Sequence, residues 1–200
     1  MLKIALTGGP GTGKSSVLNI MSRMGFRVIS ADKIVRDLQH KPNGTLAKRI
    51  ASVFGRKYLK IDGSINRLEL RKLIFGSQNA RKKLEMITHP LVIKKLKEEI
   101  KRLQNETVSI FEIPLLFEAK LTKLFDLNLV VSANKKNQIE RLTKRDKISK
   151  SLARKMIDSQ IPLKKKMEMA DYVIFNTGST RKLRAETKEF INFLKIKYGF

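Results

Sequence analysis

The chain has 200 residues, with 43 Lys or Arg against 18 Asp or Glu, and a formal net charge of +25 at pH 7. That length suits one compact domain with a subdomain, or at most two small domains, and 42 % apolar residues suffice for a core, so a disordered or coiled-coil chain is excluded. There is no cysteine and only His40 and His89 carry imidazole, which rules out disulfides, Cys nucleophiles and thiolate metal sites and argues against a zinc centre.

The apolar run that opens the chain is interrupted by Lys3 and ends within a few residues, too short for a signal peptide. No stretch approaches the roughly 20 apolar residues that a membrane span needs. The expectation is a cytoplasmic protein. A strongly basic surface concentrates polyanions, whether nucleic acid, acidic lipid or phosphorylated small molecules. Nucleic-acid binders gather their charge in patches interleaved with aromatics. Here aromatics are 6 % and the cations spread along the chain from Lys3 to Lys197, so nucleic acid is not the expected partner.

Residues 2–7 form a short apolar run ending in glycines, which predicts a buried strand. A helical pattern follows from Lys14 to Met24 and stops at Gly25, a C-cap signal. Phe26 to Ser30 predicts the next strand, so the first thirty residues read as a parallel βαβ unit. From about Asp32 to Gln104 the pattern is almost wholly helical, broken by Pro42-Asn43-Gly44 and Asp62-Gly63-Ser64. Thr107 to Ile113, Leu127 to Ser132 and Tyr172 to Phe175 predict three more strands. Between the last two lies a helical region, Arg141 to Lys166, with ten Lys or Arg against two Asp. Ser179 to Tyr198 closes the chain as an amphipathic helix. The reading is α/β, a P-loop-type parallel sheet of about five strands flanked by helices. Its core is 1–38, 106–137 and 169–200, with a helical insertion at about 40–105 and a basic lid at about 138–168.

Gly8-Gly9-Pro10-Gly11-Thr12-Gly13-Lys14-Ser15 matches G-x-x-x-x-G-K-[ST] in full, between a strand and a helix. Glycines let the backbone turn tightly and aim successive N–H groups inward as an anion nest. The helix that follows adds its unpaired amides and positive dipole end. In this pattern Lys14 reaches the β- and γ-phosphates and the Ser15 hydroxyl ligates Mg²⁺. Gly9, Gly11, Thr12, Gly13, Lys14, Ser15 and Ser16 are therefore the expected ATP-binding residues. Asp32 sits just past the second strand, where the carboxyl ends of neighbouring strands face one crevice. There it either engages an acceptor hydroxyl or caps a helix starting at Lys33.

The chain resembles the dephospho-CoA kinase family along residues 3–180. The likeness is carried by the phosphate loop and by Val28-Ile29-Ser30-Ala31-Asp32-Lys33-Ile34-Val35-Arg36, which is similar to the family's Asp-Ala-Asp segment. It continues through Asp62-Gly63, Arg67-Leu68-Glu69-Leu70-Arg71, Ile74-Phe75, His89-Pro90 and Ile113-Pro114-Leu115-Leu116-Phe117-Glu118. Arg145-Asp146, Gln160, Ala170-Asp171 and Asn176-Thr177-Gly178 complete it. The resemblance implies phosphoryl transfer from ATP to the ribose 3′-hydroxyl of dephospho-CoA, the last step of coenzyme A biosynthesis, with Mg²⁺ as cofactor. It implies Asp32 as the acid–base residue, with Lys14 and Arg141 beside it in the catalytic set.

Other assignments stand beside structural alternatives. His89 contacts the acceptor or caps a helix beginning near Pro90. Arg67 and Arg71, one helical turn apart, face acceptor phosphates or solvent. Glu112 is a candidate Mg²⁺ ligand or half of a buried polar pair. Glu118 is expected to fix local structure. Arg141 and Arg145, i and i+4 on one helix face, are expected at ATP, whereas most of the other cations of the lid are expected in solvent. The resemblance places Asn176 at the adenine edge. Two positions depart from the family: Ser30 replaces the first Asp of Asp-Ala-Asp, and Pro10 removes one N–H from the loop. A nucleoside monophosphate kinase, and a nucleic-acid-binding P-loop ATPase, are the alternatives. A monomer is favoured.

Overall fold

A computed structural model describes residues 1–199, the side chain of Phe75 excepted. The chain divides into two compact units, residues 1–30 with 103–200, and residues 31–102. The division falls eight residues before the boundary of 38 read from the sequence, so the helix after the second strand belongs to the helical unit.

The first unit is built on five parallel strands, β1 (Leu2–Thr7), β2 (Arg27–Ser30), β3 (Val108–Glu112), β4 (Leu127–Ser132) and β5 (Tyr172–Phe175), in the spatial order β2-β3-β1-β4-β5. Each lies within a residue or two of its predicted range. β1 is central: Leu6 pairs with Glu112 on one side and with Leu129 on the other. Strands covered on both faces read as continuous apolar runs, which is why β1 and β4 are legible without any alternation.

One face of the sheet presents Ile4, Leu6, Ile110, Leu129 and Val131 to α1 (Lys14–Arg23) and α9 (Thr180–Tyr198), which bring Val17, Met21, Phe190 and Leu194. Alternate residues point the other way, and there Phe111 packs on Phe125 with ring centroids 5.4 Å apart. α1 ends as expected: Gly25 has φ +88°, and the N–H of Phe26 donates to Met21 across the turn. α9 starts on a Ser179 cap whose hydroxyl accepts from the Lys182 N–H. Three further helices, α6 (Lys135–Asp146), α7 (Lys150–Asp158) and α8 (Leu163–Glu168), lie between β4 and β5.

The second unit comprises α2 (Ala31–His40), α3 (Thr45–Phe54), α4 (Arg67–Gly76) and α5 (Gln78–Arg102). Its own core gathers Leu46, Ala47, Ile50, Tyr58, Ile65 and Leu70. Both predicted turns are present: Asn43 and Gly63 have φ +51° and +78°, and Asp62 Oδ1 accepts from the Ser64 N–H and hydroxyl. One expectation is overturned. No helix begins at Pro90, which lies inside the 25-residue α5. The cost of the missing N–H is absorbed within a long helix, and Arg49 Nη1 donates to the Ile87 carbonyl of that helix at 3.4 Å.

Candidate nucleotide-binding and phosphoryl-transfer site

The phosphate loop runs from the end of β1 into α1, as the βαβ pattern requires. Two of its glycines are dictated by what packs on them. Gly11 has φ +72°, and a Cβ there would fall 2.6 Å from the Gln138 carbonyl of α6. Gly13 has φ +96°, and a Cβ would strike the Asn176 side-chain amide. An L side chain would thus be strained and obstructed at both. The N–H groups of Gly11 and Gly13 donate to no described residue, which is the arrangement of an anion nest. Thr12 is buried, and its hydroxyl donates to the Gly9 carbonyl at 2.9 Å. Lys14 Nζ donates to the Gly8 and Gly9 carbonyls, each at 3.0 Å, so its ammonium lies folded over the loop. Ser15 and Ser16 are exposed in the first turn of α1.

α6 and the end of β5 hold the other side of the loop. Arg141 Nη1 donates to the carbonyls of Gly11 and Thr12 at 3.3 and 3.2 Å, and Nη2 donates to the backbone and side-chain oxygens of Asn176, both at 3.2 Å. Asn176, 5 % exposed, donates from Nδ2 to the Thr12 carbonyl at 2.8 Å. Both ends of its side-chain amide are thus engaged by the loop and Arg141. Arg145, one turn beyond Arg141, is exposed and forked onto Asp146 at 2.7 and 2.8 Å. Those bonds raise the arginine further and hold the Asp146 carboxyl below the usual range. Of the predicted pair, only Arg141 reaches the loop.

Glu112 ends β3, half-buried and in register with Leu6 of β1 and Ser30 of β2. Ser30 Oγ donates to its Oε2 at 2.9 Å. The polar pair considered from the sequence is therefore present. A serine at position 30 gives Glu112 a neutral donor where a carboxylate would repel it.

In the helical unit, Asp32 does not cap a helix starting at Lys33, because α2 begins at Ala31 and Asp32 lies in its first turn. Its carboxylate is exposed and makes no hydrogen bond or ion pair among the described residues. Arg67 and Arg71 line one pocket of about 560 Å³ with Gln39, Leu68, Ile74 and Leu84. His89 is exposed on α5.

Comparison with known proteins decides among the alternatives. The family model CoaE, dephospho-CoA kinase, matches residues 2–182. The chain is 39 % identical over 196 residues to a dephospho-CoA kinase of Carboxydothermus hydrogenoformans, covering 97 % of this chain and 95 % of the relative. It is 31 % identical to a solved dephospho-CoA kinase from Campylobacter jejuni, with a TM-score of 0.74 and 98 % of each chain covered. The solved protein TT1252 from Thermus thermophilus superposes with a TM-score of 0.81 at 27 % identity, covering 96 % of this chain and 97 % of that one.

The chain belongs to the dephospho-CoA kinase family. It is an enzyme with dephospho-CoA kinase activity, the final step of coenzyme A biosynthesis. Within this dephospho-CoA kinase fold, one buried cation was missed from the sequence. Lys166, expected among the solvated cations of a basic segment, is 0 % exposed. Its Nζ lies 2.7 Å from Glu118 Oε1 and donates to Gln160 Oε1 at 3.0 Å, while Glu118 Oε1 also accepts from the Ile161 N–H at 3.1 Å. Glu118 thus fixes local structure, as expected. The signal for Lys166 was its place three residues after Leu163, on the inward face of α8. Two adjacent lysines of the same composition masked it.

Proposed function

We propose that ATP is the phosphoryl donor, that the ribose 3′-hydroxyl of dephospho-CoA is the acceptor, and that the residues divide the work as follows. The nest of Gly9, Gly11, Thr12 and Gly13 holds the triphosphate through backbone N–H groups at the start of α1. Lys14 moves from its carbonyl partners to the β- and γ-phosphates, where its charge offsets what develops in a loose transition state. Arg141 and Asn176 keep the loop in shape, and Arg141 adds positive charge next to it. The observation that carries this reading is the loop itself: glycines required by close packing, Gly11 and Gly13 N–H groups that donate to no described residue, and a lysine folded over the loop.

Mg²⁺ fits the residues present. The ion takes few protein ligands and keeps phosphate and water oxygens, so the Ser15 hydroxyl and the Glu112 carboxylate supply a sufficient set of hard oxygens. When bound, it neutralises charge on the β- and γ-phosphates. Asp32, exposed and without a partner among the described residues, accepts the proton of the attacking hydroxyl or orients it. Arg67 and Arg71 line a pocket whose apolar wall of Leu68, Ile74 and Leu84 suits an acceptor with phosphates and an apolar body. His89 belongs to the same acceptor set, Arg145 contacts ATP on leaving Asp146, and the basic segment 138–168 closes over the nucleotide. No helix among the described residues is long and apolar enough to cross a membrane.

The test is ADP release from ATP and Mg²⁺ with dephospho-CoA, AMP or CMP as acceptor, the product being identified by mass. Acceptor-dependent ADP with one phosphoryl group added at the 3′-oxygen of dephospho-CoA is the expected result. Equal turnover with AMP or CMP would overturn the choice of acceptor.

A further inference from the structure

α6 meets the phosphate loop at two residues one turn apart. Arg141 binds the carbonyls of Gly11 and Thr12. Gln138 presses its carbonyl and Cα against Gly11 and lays its side-chain amide beside Gly9, where an added Cβ would fall 3.0 Å from Nε2. Gln138 is 2 % exposed, and its Nε2 has no hydrogen-bond partner among the described residues. A buried amide donor without an acceptor destabilises a fold, and an apolar side chain of the same shape would not. The amide is therefore a cost in this state of the loop, located where the loop must rearrange. Three donors converge on the Gly9 carbonyl: the Thr12 hydroxyl at 2.9 Å, the Thr12 N–H at 3.4 Å and Lys14 Nζ at 3.0 Å. Under the proposed function, Lys14 leaves that oxygen for the phosphates.

We propose that Gln138 is a positioning residue of the nucleotide site, whose side-chain amide takes over the Gly9 carbonyl when Lys14 moves to the triphosphate. Nucleotide binding then satisfies a donor that was orphaned before it. The gain seats α6 on the loop, and Arg141 travels with it. The inference rests on the reading of the loop as an ATP site.

The experiment compares wild type, Gln138→Met and Gln138→Glu by thermal unfolding with and without a non-hydrolysable ATP analogue and Mg²⁺, and by steady-state kinetics. Gln138→Met keeps the volume and removes the donor. Its nucleotide-free Tm is expected at or above that of wild type, while KM for ATP rises about tenfold, the size of one lost hydrogen bond in a buried site, and kcat stays within threefold. Gln138→Glu, which lacks the donor when ionised, is expected to show the same KM defect at pH 8 and to recover as pH falls and a protonated carboxyl can donate. A residue that only fills space would leave KM unchanged in Gln138→Met, and that result overturns the proposal. Equal stabilisation of wild type and Gln138→Met by the analogue would do so too, while leaving the ATP site intact. No stabilisation of wild type would overturn both.

Discussion

Asp32 and Asn176 show how differently two polar residues at strand ends can serve one reaction. Asp32 is exposed and unengaged in the first turn of α2, so replacing it disturbs no described contact. Asp32→Asn keeps the shape and removes the proton acceptor. It is expected to lower kcat by a factor on the order of 10² or more while leaving ATP affinity nearly unchanged, as read from ADP release and nucleotide titration. Turnover within threefold of wild type would remove Asp32 from the chemistry. Asn176 is the opposite case, with its Nδ2 on the Thr12 carbonyl and its oxygens accepting from Arg141. Asn176→Ala leaves Arg141 short of one acceptor and loosens the loop at Gly13. KM for ATP is expected to rise roughly tenfold, at a stability cost of about 1–3 kcal/mol. If Asn176 acted at the adenine edge alone, KM would rise without any change in Tm.

Among the elements, α8 shows what a helix of six residues can hide. Its Lys166 is buried against Glu118, and removing one partner of such a pair strands the other charge. Lys166→Met is expected to cost about 3–5 kcal/mol, which for a chain of this size lowers Tm by roughly 2–4 °C per kcal/mol. The pair Lys166→Met with Glu118→Gln should recover much of the loss in thermal unfolding, whereas a double variant as unstable as the single would show that packing, not charge, is what Lys166 supplies. The five strands and the loop were legible because each is written in consecutive residues: an apolar run for β1, a spaced glycine motif before α1. The Lys166 partners were not, because Glu118 lies 48 positions away and no local pattern announces the meeting. The same holds for Asn176, which finds Thr12 across 164 positions, and for Arg141, which finds Gly11 across 130. Pro90, which offered one of the two readings of His89, is the converse case. A local helix-start signal there is not followed, and the helix runs through it from Gln78 to Arg102.

At the scale of the whole molecule the charge is the dominant fact. Among the described residues eight of the 18 acids form ion pairs, Glu69, Glu85, Glu98 and Glu99 along α4 and α5 and Asp158 with Lys135 among them. With 43 basic residues against 18 acidic ones, most cations face no counter-charge, and their mutual repulsion opposes the compact state. Salt screens that repulsion over about 10 Å at 0.1 M. Tm is therefore expected to rise with NaCl at pH 7, against the usual weak effect on exposed ion pairs. Acid works in the other direction on both counts. Hydrogen bonds from Ser64, Lys95 and Arg145 hold Asp62, Glu98 and Asp146 below their ordinary values of 3.8, 4.5 and 3.8. A lowered carboxyl contributes stability above its unfolded value and loses it as pH falls through the folded one, so these contributions are full at pH 7, begin to fall near the ordinary values of 4.5 and 3.8, and are gone only below the depressed folded values. Protonation also strips the remaining negative charge from an already cationic surface. Thermal unfolding between pH 7 and pH 3, at low and at 0.5 M NaCl, separates the two effects. Salt should restore the part due to general repulsion but not the part due to specific bonds, so the curves should approach each other without merging. A Tm that falls with added NaCl at pH 7 would mean that the surface ion pairs, and not the unpaired excess, govern the electrostatics of this fold.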